Sequence, residues 1–193
     1  MLLISLSAFL SGLAQHSIGL HNIIYFSIIP LIYILDKNLI IKNSIKIGFI
    51  WGFIYVLTTI YWLAFNIGTS FPVALLTMFL TVLVLSVNTV LIFVIWNSIT
   101  GYSQLIRQFL FAFTWCAIEY VRSFGSLGFP WISIANTQID YLILIQNAEI
   151  FGIYGISFWI LSFNVFLYNY IKSNGVLLYF NKKLFFCIFV FIT

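Results

Sequence analysis

Uncharged apolar runs, each about as long as a bilayer is thick, decide what this chain can fold into. At a rise of 1.5 Å per residue about 20 apolar residues cross the ~30 Å hydrocarbon core. In lipid a lone segment satisfies its backbone only by coiling into a helix. Of the 193 residues only 6% are charged and 63% are hydrophobic, against about 25% charged in a soluble domain. That is too little charge to cover a water-facing surface, so the expectation is an all-α integral membrane protein. The 20% aromatic content excludes a disordered chain, and the lack of basic blocks excludes the footprint of a nucleic-acid binder. Cys116 and Cys187 both lie inside apolar runs and provide neither a disulfide framework nor a metal cluster. No cofactor motif is read from the sequence.

Cutting the chain at its polar clusters predicts six complete transmembrane helices, at about 2–20, 22–35, 47–65, 73–96, 109–125 and 150–170. A partial seventh runs over 184–193. Between residues 126 and 149 the apolar stretch Tyr141 to Ile145 is too short to cross, and Pro130, Asn136, Gln138, Asp140 and Gln146 interrupt the pattern. Every Lys and Arg except Arg122 falls in the loops 36–46, 97–108 and 172–183. Alternating spans put these loops on one side, which the positive-inside rule makes the cytoplasm. The amino terminus is then cytoplasmic and the segment 126–149 faces outward. Gly12-Leu13-Ala14 has the small-x-small form of a signal cleavage site, but no basic region precedes it, so the first span is expected to be retained.

Glu119 and Arg122 lie roughly 16 to 21 Å into the fifth span. Ions at such depth cost about 2.5–3.5 kcal/mol each on insertion scales and usually face protein or a polar cavity. Two readings follow from the i, i+3 spacing. The residues form a self-neutralising pair that packs helices, or they line an outward cleft for a lipid head group with Arg122 as its phosphate or carbonyl contact. Gly128-Phe129-Pro130-Trp131 comes next, where proline ends the helix and Trp131 sits at interface depth.

Other candidates read more simply. His16 and His21 are read as outer-loop polarity, since no carboxylate is near them in sequence and i, i+5 is not a same-face spacing. Cys116 is read as a packing cysteine, because its neighbour Glu119 would not activate a thiol. Gly48 and Gly52 form a GxxxG that permits close helix approach. Gly152-Ile153-Tyr154-Gly155-Ile156-Ser157 reads as a close-contact helix entry.

Taken in order, Trp115, Glu119, Arg122, Gly128-Phe129-Pro130-Trp131, Gln138, the Gly152 to Ser157 stretch and Asn164 resemble the membrane domain of apolipoprotein N-acyltransferase. Trp51-Gly52-Phe53 and Tyr61-Trp62-Leu63 are similar to the third span of that family. Ala135 and Leu127 depart from its pattern in the outer loop. The resemblance implies an enzyme of the bacterial inner (cytoplasmic) membrane with a nitrilase-like domain on the outer face and a Glu, Lys, Cys triad. Such an enzyme moves an acyl chain from a phospholipid donor, through a cysteine thioester, to the diacylglyceryl-cysteine of an apolipoprotein acceptor. No position in this chain matches the triad, so no catalytic and no metal-binding residue is carried over. The lipid- or substrate-binding candidates are Glu119, Arg122, Phe129, Pro130 and Trp131. The chain is expected to be an incomplete enzyme, inactive alone and truncated before the nitrilase-like domain. The alternative is a small membrane protein without enzymatic activity, either a transporter-like bundle or a degenerate remnant.

The topology is directly testable. A cysteine introduced as Lys42→Cys should react with an impermeant maleimide only after the inner membrane is opened, and labelling in intact spheroplasts would reverse the orientation.

Overall fold

The computed structural model describes residues 1–37, 39–99, 101–125 and 128–173. Those residues are helical or irregular, with no strand among them. The helices are α1 (Leu2–Leu13), α2 (Ile24–Ser27), α3 (Ile29–Leu35), α4 (Ile41–Ile60), α5 (Phe71–Ser98), α6 (Gln104–Arg122), α7 (Leu142–Gln146) and α8 (Ala148–Lys172). Short 3-10 turns occupy Tyr61–Phe65, Pro130–Ile132 and Ile134–Gln138.

Three helices are long and apolar enough to cross a membrane: Ile41–Phe65, Phe71–Ser98 and Ala148–Lys172, of 25, 28 and 25 residues. They answer to three of the six expected spans. The other three differ in kind. α1 has 12 residues and rises about 18 Å. The stretch from His21 to Leu35 is apolar but broken at Ile28 between α2 and α3. α6 has 19 residues and carries Arg107, Glu119 and Arg122, which lowers its hydropathy. The expected span 184–193, with Cys187, lies outside the described residues.

Each break has a local cause. α5 begins at Phe71-Pro72, where the missing proline N–H is one the first turn leaves unpaired anyway. The side chain of Ser103 caps α6 by accepting from the Ile106 N–H at 3.5 Å. α8 is kinked at Gly152, whose φ of 67° and ψ of 173° suit only a residue without Cβ. Gly155 is demanded by space, because a Cβ there would lie 2.4 Å from the Phe151 Cβ.

The core is built on α4. Gly48 and Gly52 let α5 come close: a Cβ on Gly52 would sit 1.9 Å from Thr89 Oγ1, and one on Gly48 3.1 Å from the Thr89 carbonyl. Fully buried Trp51 donates from Nε1 to Ser7 Oγ at 3.1 Å, and Ser7 donates in turn to the Ser27 carbonyl. Those two bonds join α4, α1 and α2. Trp51 also stands edge-on to Trp115 of α6 at 5.3 Å between centroids. On the far side, Asn164 of α8 donates to the Ile24 carbonyl at 3.0 Å. At the end of the bundle that carries most of the basic residues, Asp36 accepts from Tyr168 Oη at 2.6 Å and Lys172 Nζ at 3.1 Å. Gln104 also donates to it, so this carboxylate ties α3 to α6 and α8.

Gly52→Ala should lower the thermal stability of the purified protein by about 1–3 kcal/mol, the usual cost of overpacking. Thr89→Ala should restore part of that loss by removing the nearer clash. A Gly52→Ala protein that melts with the parent would show that α4 and α5 are not held by this contact.

Candidate functional site

At the opposite end of the bundle the 3-10 segment 130–138 folds back into the helices, and the carboxylate of Glu119 holds it there. Glu119 is 2% exposed. Its Oε1 accepts from Trp115 Nε1 at 3.1 Å and the Ile134 N–H at 2.9 Å. Its Oε2 accepts from Ser133 Oγ and Ser157 Oγ, both at 2.7 Å. A buried carboxylate is tolerated only when hydrogen bonds or a counter-charge replace its water, and four donors here occupy its lone pairs. Ser157 sits on α8 five residues past the kink at Gly152, and it also accepts from the Ala135 N–H at 3.1 Å.

The same segment is gripped from the other side. Tyr55 of α4 donates to the Ile132 carbonyl at 2.9 Å, and Gln15 donates both to Tyr55 Oη at 2.8 Å and to the Ser133 carbonyl at 3.0 Å. Main-chain groups of 132, 133, 134 and 135 are therefore each bound to a side chain from a different part of the bundle. Gln138 is fully buried and accepts from Tyr25 Oη at 2.7 Å.

Glu119 and Arg122 do not form the ion pair that their spacing allows. Among the described residues the acid–base contacts are Lys172–Asp36, an ion pair, and His21–Asp140, which is one only with the imidazole protonated. The physical reason is competition: donors from the folded-back segment and α8 take the carboxylate, and Arg122 turns to the end of α6. There its Nε donates to the Phe129 carbonyl at 3.1 Å, while its Nη2 is buried without a hydrogen-bond partner. The Phe129 ring lies edge-on to Trp131, with centroids 5.1 Å apart. Pro130 opens the 3-10 turn and is exposed, and Trp131 is 62% exposed. Of the five candidate residues, Arg122, Phe129, Pro130 and Trp131 thus form one cluster at the turn, and Glu119 lies beneath it.

The histidines correct the reading of them as loop polarity. His21 is 7% exposed, its Nε2 lies 2.7 Å from Asp140 Oδ2, and its Nδ1 lies 3.2 Å from the Ala14 carbonyl oxygen. The carboxylate that was absent from its sequence neighbourhood arrives with the folded-back segment. His16 reaches the Thr58 carbonyl at 2.7 Å and rests against Tyr61. Cys116 is half-buried against α8, with Sγ 3.4 Å from the Tyr154 carbonyl. Sequence reasoning passed over Gln15, Tyr55, Ser133 and Ser157. Their one visible signal was polarity inside or beside apolar runs.

Three helices of spanning length, a buried polar hub and an aromatic turn displayed at one end have the character of a membrane domain of polytopic type. The sequence profile of the apolipoprotein N-acyltransferase N-terminal domain matches residues 7–166, and the chain belongs to that family. It is 32% identical over 174 residues to the apolipoprotein N-acyltransferase of Geobacter metallireducens, covering 87% of this chain and 33% of the relative. The Thermotoga maritima protein of that name is 26% identical, over 91% of this chain and 36% of its own length. The Rickettsia typhi one is 30% identical, over 79% and 32%. The chain spans about a third of the length of the curated relatives it matches.

Substitutions at Glu119 should separate its acceptors. Glu119→Gln can keep one oxygen toward the two N–H donors and turn its amide to the serines, which can accept, for a loss of about 1–2 kcal/mol. Glu119→Leu strands four buried donors and should cost about 3–5 kcal/mol. Thermal unfolding in detergent reads both, and equal losses would refute this division of the donors.

Proposed function

We propose that this chain is the membrane part of an apolipoprotein N-acyltransferase, and that the cluster around Arg122 receives the head group of the phospholipid donor at the outer face. The observation that carries the reading is the clamped turn. Side chains from α4, α6 and α8, together with Gln15 just after α1, fix the backbone of 132–135, yet Trp131 stays 62% exposed. A rigid turn that displays an aromatic ring beside a guanidinium is preorganised for an amphipathic ligand. Arg122 supplies its remaining nitrogen, Nη1, as a charged donor for phosphate or carbonyl oxygen, Phe129, Pro130 and Trp131 offer apolar surface to the glycerol and upper acyl chain, and Glu119 acts by holding the turn.

In this reading the protein has six complete spans, sits in the bacterial inner membrane with a cytoplasmic amino terminus, and works with a nitrilase-like domain. The short α1 and the charged α6 cross by packing on the three long helices. Covalent acyl transfer needs an activated nucleophile, which the nitrilase-like domain would provide through its cysteine. The apolipoprotein acceptor would meet that domain.

Two proteins test the proposal. Residues 1–193 alone should transfer no acyl chain to a diacylglyceryl-cysteine peptide. Joined in frame to the catalytic remainder of the Geobacter metallireducens relative, they should support transfer, and Arg122→Gln and Trp131→Ala should each lower kcat/KM about tenfold or more. Transfer by the short chain, or a chimera indifferent to both substitutions, would defeat it.

A further inference from the structure

A cavity of about 20 Å³ lies between α4, α5 and α6, lined among others by Tyr55, Asn88, Thr89, Trp115, Glu119 and Arg122. Arg122 lines it with one donor unspent: its Nη2 is buried with no hydrogen-bond partner, while its Nε is engaged by Phe129. Glu119 lines the same space but already accepts four hydrogen bonds. From α5 comes Asn88. Other polar side chains of that helix are provided for: Thr77, Thr81, Ser86, Thr89 and Ser98 donate to carbonyls of the preceding turn, and Asn97 donates to Ser44. Asn88 forms no hydrogen bond with the described residues, although an amide within a span is expensive.

We infer that this cavity binds one water molecule, which accepts from Arg122 Nη2 and exchanges a hydrogen bond with the Asn88 amide. The volume decides the size of the ligand: about 10–15 Å³ of such space holds one water, which needs two to four polar partners. The partners decide its chemistry, because an unspent cationic donor and an amide with both donor and acceptor capacity complement a molecule that accepts and donates. The water joins α5 to α6 and completes the guanidinium on its inner side. Its outer side is left to the solvent or head group. Asn88 is then a positioning residue for Arg122. That role rests on the lipid reading proposed above, whereas the water does not.

The test uses the full 193-residue chain purified in a neutral detergent. A structure at about 2 Å resolution should show a single density peak 2.7–3.2 Å from Nη2 and within hydrogen-bond reach of the Asn88 amide. Asn88→Leu should expel it, strand the buried donor and lower Tm by about 4–8 °C. Asn88→Asp, close in shape and a stronger acceptor, should keep the water and melt at or above the parent. Retention of phosphatidylglycerol, read by native mass spectrometry, should fall for both Asn88→Leu and Arg122→Gln and hold for Asn88→Asp. No peak, a lipid or phosphate oxygen in its place, or an Asn88→Leu protein as stable as the parent would overturn the inference. If the water and the Tm shifts are found but neither Asn88→Leu nor Arg122→Gln changes lipid retention, the head-group reading fails and the water stands.

Discussion

The end of this domain that carries the segment 130–138 depends on one buried carboxylate. Glu119 draws donors from its own helix, from the 3-10 segment after it and from α8. An ion at that depth is costly wherever its hydrogen bonds are incomplete. The cost makes the arrangement cooperative: the carboxylate is stable only if Ser133, Ile134 and Ser157 are all in place, and the segment can enter the bundle only if its main-chain groups are met there. Tyr55 and Gln15 complete the enclosure by taking the carbonyls that Glu119 leaves. Irregular backbone at membrane depth is tolerated when it is buried in protein in this way.

A second carboxylate does comparable work at the opposite end. Asp36 gathers Tyr168, Lys172 and Gln104, so α6 and α8 are each fastened near both of their ends. Between the two hubs the contacts are apolar and aromatic, with Trp51, Trp115 and Phe111 packed edge to face. Apolar contacts alone provide little register between helices in lipid, where hydrocarbon surrounds both partners. The polar ends supply it.

The sequence conveyed what is local and periodic. Three long spans could be read from run length alone, and the close approach of α4 and α5 from Gly48 and Gly52. Proline and tryptophan marked the turn after α6. Non-local pairings were beyond such reasoning. Spacing on one helix suggested that Glu119 would pair with Arg122, and only the return of Ser133, Ile134 and Ser157 explains why it does not. His21 looked isolated because Asp140 lies far along the chain. The first two expected spans, 2–20 and 22–35, were cut at their polar residues, and nothing in an apolar run reveals that α1 stops at Leu13 or that the next helix bends at Ile28. Asn88 was hidden by its surroundings, since one amide among aliphatic residues carries no pattern.

The kink at Gly152 has an electrostatic consequence. Peptide dipoles add only along an unbroken helix, and a backbone with φ of 67° at that point divides α8 into a short piece before Gly152 and a long one after it. The long piece therefore has a start of its own, and its leading amides carry the partial positive charge of a helix start. Ser157, four residues beyond Ile153 and so about 6 Å along the axis, delivers its hydroxyl to Glu119 Oε2. A discontinuity that looks like a defect in a long apolar helix thus resets the helix start five residues ahead of the serine that reaches the carboxylate.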